Sequence, residues 1–152
     1  MTAKESVFSL LKREKADEEA GDSYRQKQEW IAALGKLMAQ VRKWLESAEV
    51  ETLLTVEEVQ LELREPGLGA YTAMGLQLTT PHGKVIHVIP KGRFVVGASG
   101  RVDIECGPKK AVLVQVEPGA WQFAQLAAAQ GRWTFKDFNE ESFWEALNDL
   151  LA

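Results

Sequence analysis

The sequence predicts an α+β fold: one or more N-terminal helices, an antiparallel β-meander of about six to seven strands forming an open sheet or partial barrel, and a C-terminal helix. Three patterns support this. Apolar residues recur at steps of three and four up to about Ser47, they alternate at period two from about Leu54, and a capped helical pattern returns at Asn139. With 152 residues, 45% apolar and 26% charged, the chain is long enough for one core and too short for two ordinary domains, so 1–152 is read as a single domain.

The first segment, Lys4 to about Ala20, carries Val7, Phe8, Leu10 and Leu11, then Lys12-Arg13-Glu14-Lys15 with Asp17, Glu18 and Glu19. Its second half has little to bury. The expectation is a helix that docks by its start and then frays or projects, with 1–22 mobile. Ser23 followed by Gln26 has capping-box spacing and predicts a second helix over 23–48. Trp30, Ile31, Leu34, Leu37, Met38, Val41, Trp44 and Leu45 give that helix one broad apolar stripe, with Trp30 and Trp44 on one side of it and packed on the sheet.

Val59, Leu61 and Leu63 alternate against Glu58, Gln60, Glu62 and Arg64, as in a half-buried strand. Turn signals follow at Pro66-Gly67, Pro81-His82-Gly83, Pro90-Lys91-Gly92, Gly97-Ala98-Ser99-Gly100, Gly107-Pro108 and Pro118-Gly119. They bound strands from Tyr71 to Thr80, Lys84 to Ile89, Arg93 to Val96, Arg101 to Cys106 and Ala111 to Val116. Connections this short hold no crossover helix, so successive strands pair antiparallel. Trp121 and Phe123 predict a strand over 120–125, although Ala127-Ala128-Ala129-Gln130 favours helix by propensity, and Trp133 with Phe135 suggests one more, so the meander covers 54–135. Asn139 then caps a terminal helix over 139–151. Glu140 and Glu141 suit its positive end, and Phe143, Trp144, Leu147, Leu150 and Leu151 form its apolar face.

Trp30 with Trp44-Leu45, then Tyr71, Gly97-x-x-Gly100-Arg101-Val102-Asp103, Trp121, and Glu140-Glu141-Ser142-Phe143 followed by Leu147 and Leu150-Leu151 together resemble a set of uncharacterised bacterial proteins of similar length. The resemblance covers most of the chain. It implies a bacterial, intracellular origin and carries no activity with it.

The chemistry-bearing residues are sparse. Cys106 is the only cysteine, which rules out an intrachain disulfide and a cysteine-based zinc site and favours a reducing, cytoplasmic compartment. His82 in a turn and His87 on a strand lack metal-ligand spacing, and His87 reads as a half-buried histidine on the face of Val85 and Ile89. Gly97-x-x-Gly100 lacks the third glycine of a dinucleotide loop and the Gly-Lys of a P-loop, so it reads as a hairpin turn. Arg101, Asp103 and Glu105 then share a solvated strand face opposite Val102, Ile104 and Cys106. No catalytic residue, metal or cofactor is assigned. No apolar run has the length of a membrane span.

The net charge of −4 hides an asymmetry: 1–65 carries −4, 66–136 carries +5 and 137–152 carries −5. In a meander every second turn lies at one end of the sheet, which predicts a cationic pole of Lys91, Arg93, Lys109 and Lys110, with Lys84 and Arg101 at the opposite end. The preferred reading is a non-enzymatic intracellular protein-interaction module, accessory or immunity-type, that engages an acidic partner or a second copy of itself. The alternative is a nucleic-acid-binding domain that uses the same pole, which the acidic total disfavours. An enzyme whose site is assembled from scattered residues ranks third.

Overall fold

The computed structural model describes residues 2–65, 68–92, 100–117, 119–127 and 131–152, and the side chains of all of these except 17–20, 22, 23, 126 and 127. The first helix, α1 (Ala3–Trp44), starts where the Thr2 side chain accepts from the Glu5 amide and the Glu5 carboxylate accepts from the Thr2 amide. It runs through residue 23 without interruption, so the capping-box spacing of Ser23 and Gln26 starts nothing, and the two predicted helices are one. A cap residue starts a helix only where the preceding backbone leaves helical geometry. With the good helix formers Glu18, Glu19 and Ala20 before it and no proline nearby, the helix carries on through Gly21-Asp22-Ser23 in spite of their poorer propensity. Over 42 residues the helix is about 63 Å long.

Ser47 accepts from the Val50 amide and opens α2 (Ala48–Leu53), a short helix that the change of period near Leu54 conceals. Seven strands follow: β1 (Thr55–Glu65), β2 (Gly69–Thr79), β3 (Val85–Gly92), β4 (Gly100–Cys106), β5 (Lys109–Glu117), β6 (Ala120–Ala127) and β7 (Arg132–Asp137). Each pairs antiparallel with the next, giving one open sheet in chain order, as the alternation and short turns predict. The chain ends in α3 (Glu140–Leu151). Asn139 accepts from the Ser142 amide, and the Ser142 hydroxyl accepts from the Asn139 amide.

One predicted turn is corrected. Pro90-Lys91-Gly92 lies inside β3, where a register shift between Pro90 and Gly92 takes up Lys91 as an extra residue next to the proline, which cannot donate to the ladder. The predicted strand Arg93 to Val96, together with 97–99 of the next turn, lies outside the described residues.

Partners in an antiparallel ladder project to the same face, and the register therefore defines the core. Leu76, Val88 and Ile104 are successive partners, as are Val102 and Leu113, and all five are fully buried. Trp30, Leu34, Leu37, Met38, Val41 and Leu45 cover this face from α1, and Phe143, Leu147 and Leu150 from α3. Cys106 packs at its margin. Gly100 sits directly beneath Trp30: a Cβ there would lie 2.2 Å from the indole ring. Trp30 Nε1–H in turn donates to the Tyr71 hydroxyl at 3.0 Å, and Tyr71 donates to the Glu65 carboxylate. Burial, reinforced by the Glu65 carboxylate, pushes the Tyr71 phenol well above its usual pKa. This chain ties the β1–β2 hairpin to the buried half of α1.

Candidate functional site

The predicted cationic pole is not assembled. Because β3 and β4 pair directly, Gly92 lies beside Arg101, whereas Lys109 lies beside Cys106 at the far end of β4. Lys91 and Lys109 are therefore separated by about 13 Å along the strands as well as by two strand spacings. Counting Pro90-Lys91-Gly92 as a turn inverts the end at which each later corner falls. Lys91 instead pairs with Glu105 at 3.1 Å. Lys109 Nζ donates to the Ala152 carbonyl at 2.6 Å, and Lys84 Nζ to the Leu151 carbonyl at 3.2 Å, so Lys84 shares the end of Lys109 and both satisfy carbonyls at the end of α3. Lys110 is exposed opposite Glu105, and Arg93 lies outside the described residues.

The face that carries Arg101, Asp103 and Glu105 also departs from expectation. Arg101 and Glu105 are half-buried, but Asp103 is 1% exposed and accepts two hydrogen bonds from the Arg101 guanidinium, at 2.8 and 3.0 Å. On a central strand, Ile89 and Val112 flank Asp103 from both neighbours and shut out solvent. The pair raises the affinity of Arg101 for its proton, chiefly through the Asp103 hydrogen bonds. It is a self-contained ion pair with both partners engaged. His87 is half-buried beside Glu105, and His82 is exposed in its turn.

The N-terminal part of α1 is exposed in a different way. Every side chain from Thr2 to Ala16 is exposed, and among the described side chains the first buried one on the helix is Trp30. The segment does not dock by its start, as the sequence suggests. A continuous helix carries Val7 about 35 Å along the axis from Trp30, out of reach of the sheet. Val7, Phe8, Leu10 and Leu11 are each about half exposed, between 49% and 57%. At 100° per residue their mean direction lies about 130° around the helix from the stripe of Trp30, Leu34, Leu37 and Val41, so the tip turns its apolar side away from the face that meets the sheet.

Charge is ordered along this arm as well. Residues 2–16 carry Lys4, Lys12, Arg13 and Lys15 against Glu5 and Glu14, while 17–29 carry Asp17, Glu18, Glu19, Asp22 and Glu29 against Arg25 and Lys27. A net +2 is thus followed by a net −3. The sequence shows both the apolar quartet and the charge order. What it hides is that the apolar quartet stands clear of the body of the protein.

No family model matches the chain, and no curated protein and no solved structure matches it. No helix among the described residues is long and apolar enough to cross a membrane.

Proposed function

We propose that this chain is a non-enzymatic protein-interaction module that joins a second copy of itself through the projecting part of α1. The observation that carries the reading is the half-exposed quartet Val7, Phe8, Leu10 and Leu11 on a stretch of α1, residues 2–16, in which every side chain is exposed. Apolar anchors at three- and four-residue spacing on a helix suit a helical partner. The partner is a second copy because the charge order is self-complementary: in an antiparallel pair, the basic first half of one arm lies along the acidic second half of the other.

Sedimentation equilibrium tests this. The wild-type chain is expected to reach twice its monomer mass at about 100 μM or below, to dissociate as salt is raised, and to become monomeric when Leu10 and Leu11 are both replaced by Asp. A wild-type chain that stays monomeric at low salt across this range overturns the reading.

A further inference from the structure

Between the buried half of α1 and the adjoining ends of β5 and β6 runs a groove of about 800 Å3, of the size that holds a small ligand. Its floor is aromatic: Trp44 and Phe138 lie against each other with ring centroids 5.1 Å apart, and Trp121 is held against the buried Trp30 at 6.0 Å. On the α1 wall the small residues Ala32 and Ala33 leave the space open.

Gln115 also lines this groove. It is 5% exposed, and it pairs in the β5–β6 ladder with Trp121, so its side chain projects to the same side as that ring. Among the described residues its carboxamide makes no hydrogen bond, and its polar atoms are not sealed off. The other buried polar side chains among the described residues have partners: Asp103 has Arg101, and Ser142 has Asn139. Lining the groove and still accessible, the carboxamide is open to bond with whatever occupies it. It offers one acceptor and an NH2 donor side by side, an edge that matches the edge of another amide. At the rim stand Glu29 and Lys36, both lining the groove, exposed, and about 10 Å apart along the helix. That is about the span between the charged ends of an extended tripeptide.

We infer that this groove binds a short free peptide with an aromatic or large apolar side chain. The side chain rests on Trp44, Trp121 and Phe138, a backbone amide pairs with Gln115, the amino end lies toward Glu29 and the carboxylate toward Lys36. The inference does not rest on the role proposed for the arm, and Glu29 is the one residue the two have in common.

Titration of the full chain with Ala-Phe-Ala, followed by tryptophan fluorescence and calorimetry, tests it. One saturable site is expected. Gln115→Leu should weaken binding about tenfold, the usual worth of one buried hydrogen bond. Ala32→Trp, on the exposed surface of α1, should fill the groove and abolish binding, and it decides the matter alone if circular dichroism shows that Gln115→Leu does not fold. The capped peptide N-acetyl-Ala-Phe-Ala-amide should bind about threefold more weakly, as expected for rim charges. Asp at both Leu10 and Leu11 should leave the affinity unchanged. Absence of saturation, or full affinity in Gln115→Leu and Ala32→Trp, overturns the site. Equal affinity for the capped peptide overturns the assignment to a free one.

Discussion

Along α1, residues 30–45 bury Trp30, Leu34, Leu37, Met38, Val41 and Leu45 against the sheet, while residues 3–16 of the same helix hold Val7, Phe8, Leu10 and Leu11 half in solvent. Residues 30–45 are the more apolar, 11 of 16 against 6 of 14, but both stretches carry large apolar side chains on the same helical backbone. They differ in their distance from the sheet and in phase around the helix, and both differences work the same way: the tip is too far along the axis to reach the core and points elsewhere. Apolar content therefore reports what a helix is able to cover, and its position in the fold determines what it does cover.

The sharpest way to break this comparison is to truncate one aromatic residue in each half. Trp30→Ala should cost about 3–5 kcal/mol in urea unfolding, because it empties the most enclosed part of the core and strips Tyr71 of its donor. Phe8→Ala should change stability by less than about 0.5 kcal/mol, as befits an arm that stands clear of the body. Similar losses in the two variants would mean that the tip docks after all.

A smaller effect is expected from overfilling the same region. Gly100→Ala places a methyl group against the Trp30 ring and should cost about 1–3 kcal/mol. Combined with Trp30→Phe, the penalty should shrink, and a double-mutant cycle would read the non-additivity; additive losses would show that the close approach does not matter.

Next comes the hydrogen-bond chain. Tyr71→Phe leaves Trp30 Nε1–H without its acceptor and should cost about 1–2 kcal/mol. The phenol of Tyr71 is raised in the folded state, so folding holds its proton more tightly than the unfolded chain does. Its contribution is thus full below the ordinary phenol pKa of about 10 and is lost as pH rises beyond it. Urea midpoints at pH 9 and pH 11 should fall more for the wild type than for Tyr71→Phe; parallel falls would dismiss the coupling. The smallest effect is expected where the sheet meets the end of α3. Lys109→Ala should lower stability by about 0.3–1 kcal/mol at low ionic strength and by less in salt. A loss independent of salt would contradict the electrostatic account.

Much of the fold is legible in residue order. Val59, Leu61 and Leu63 mark β1, Asn139 with Ser142 marks the start of α3, and the alternation of Arg101 to Cys106 reproduces β4 nearly to its ends. Trp121 and Phe123 correctly mark β6, which paired neighbours on both sides hold as a strand, while residues 128–130 of the alanine run lie outside the described residues. The failures share a cause. Ser23 resembles a cap, and Pro90-Lys91-Gly92 resembles a turn, but each signal says only that a break is permitted there. Neighbouring helix formers override the first, and the bulge between Pro90 and Gly92 absorbs the second. Gln115 is illegible for another reason: a polar residue on a strand reads as solvated, and its burial shows only once α1 lies across it.

Periodicity is a local property, and it accounts for which segments become helix or strand and which side of each is apolar. Where those sides end up is a global property. The end of the sheet at which Lys91 and Lys109 fall depends on how many times the chain has reversed, and a single miscounted reversal exchanges the two ends. Whether an apolar stripe is covered depends on the length and phase of the helix that bears it relative to a sheet built from residues far along the chain. Arm, groove and separated cations all belong to that second kind, since each is fixed by how α1 and the seven strands pack together.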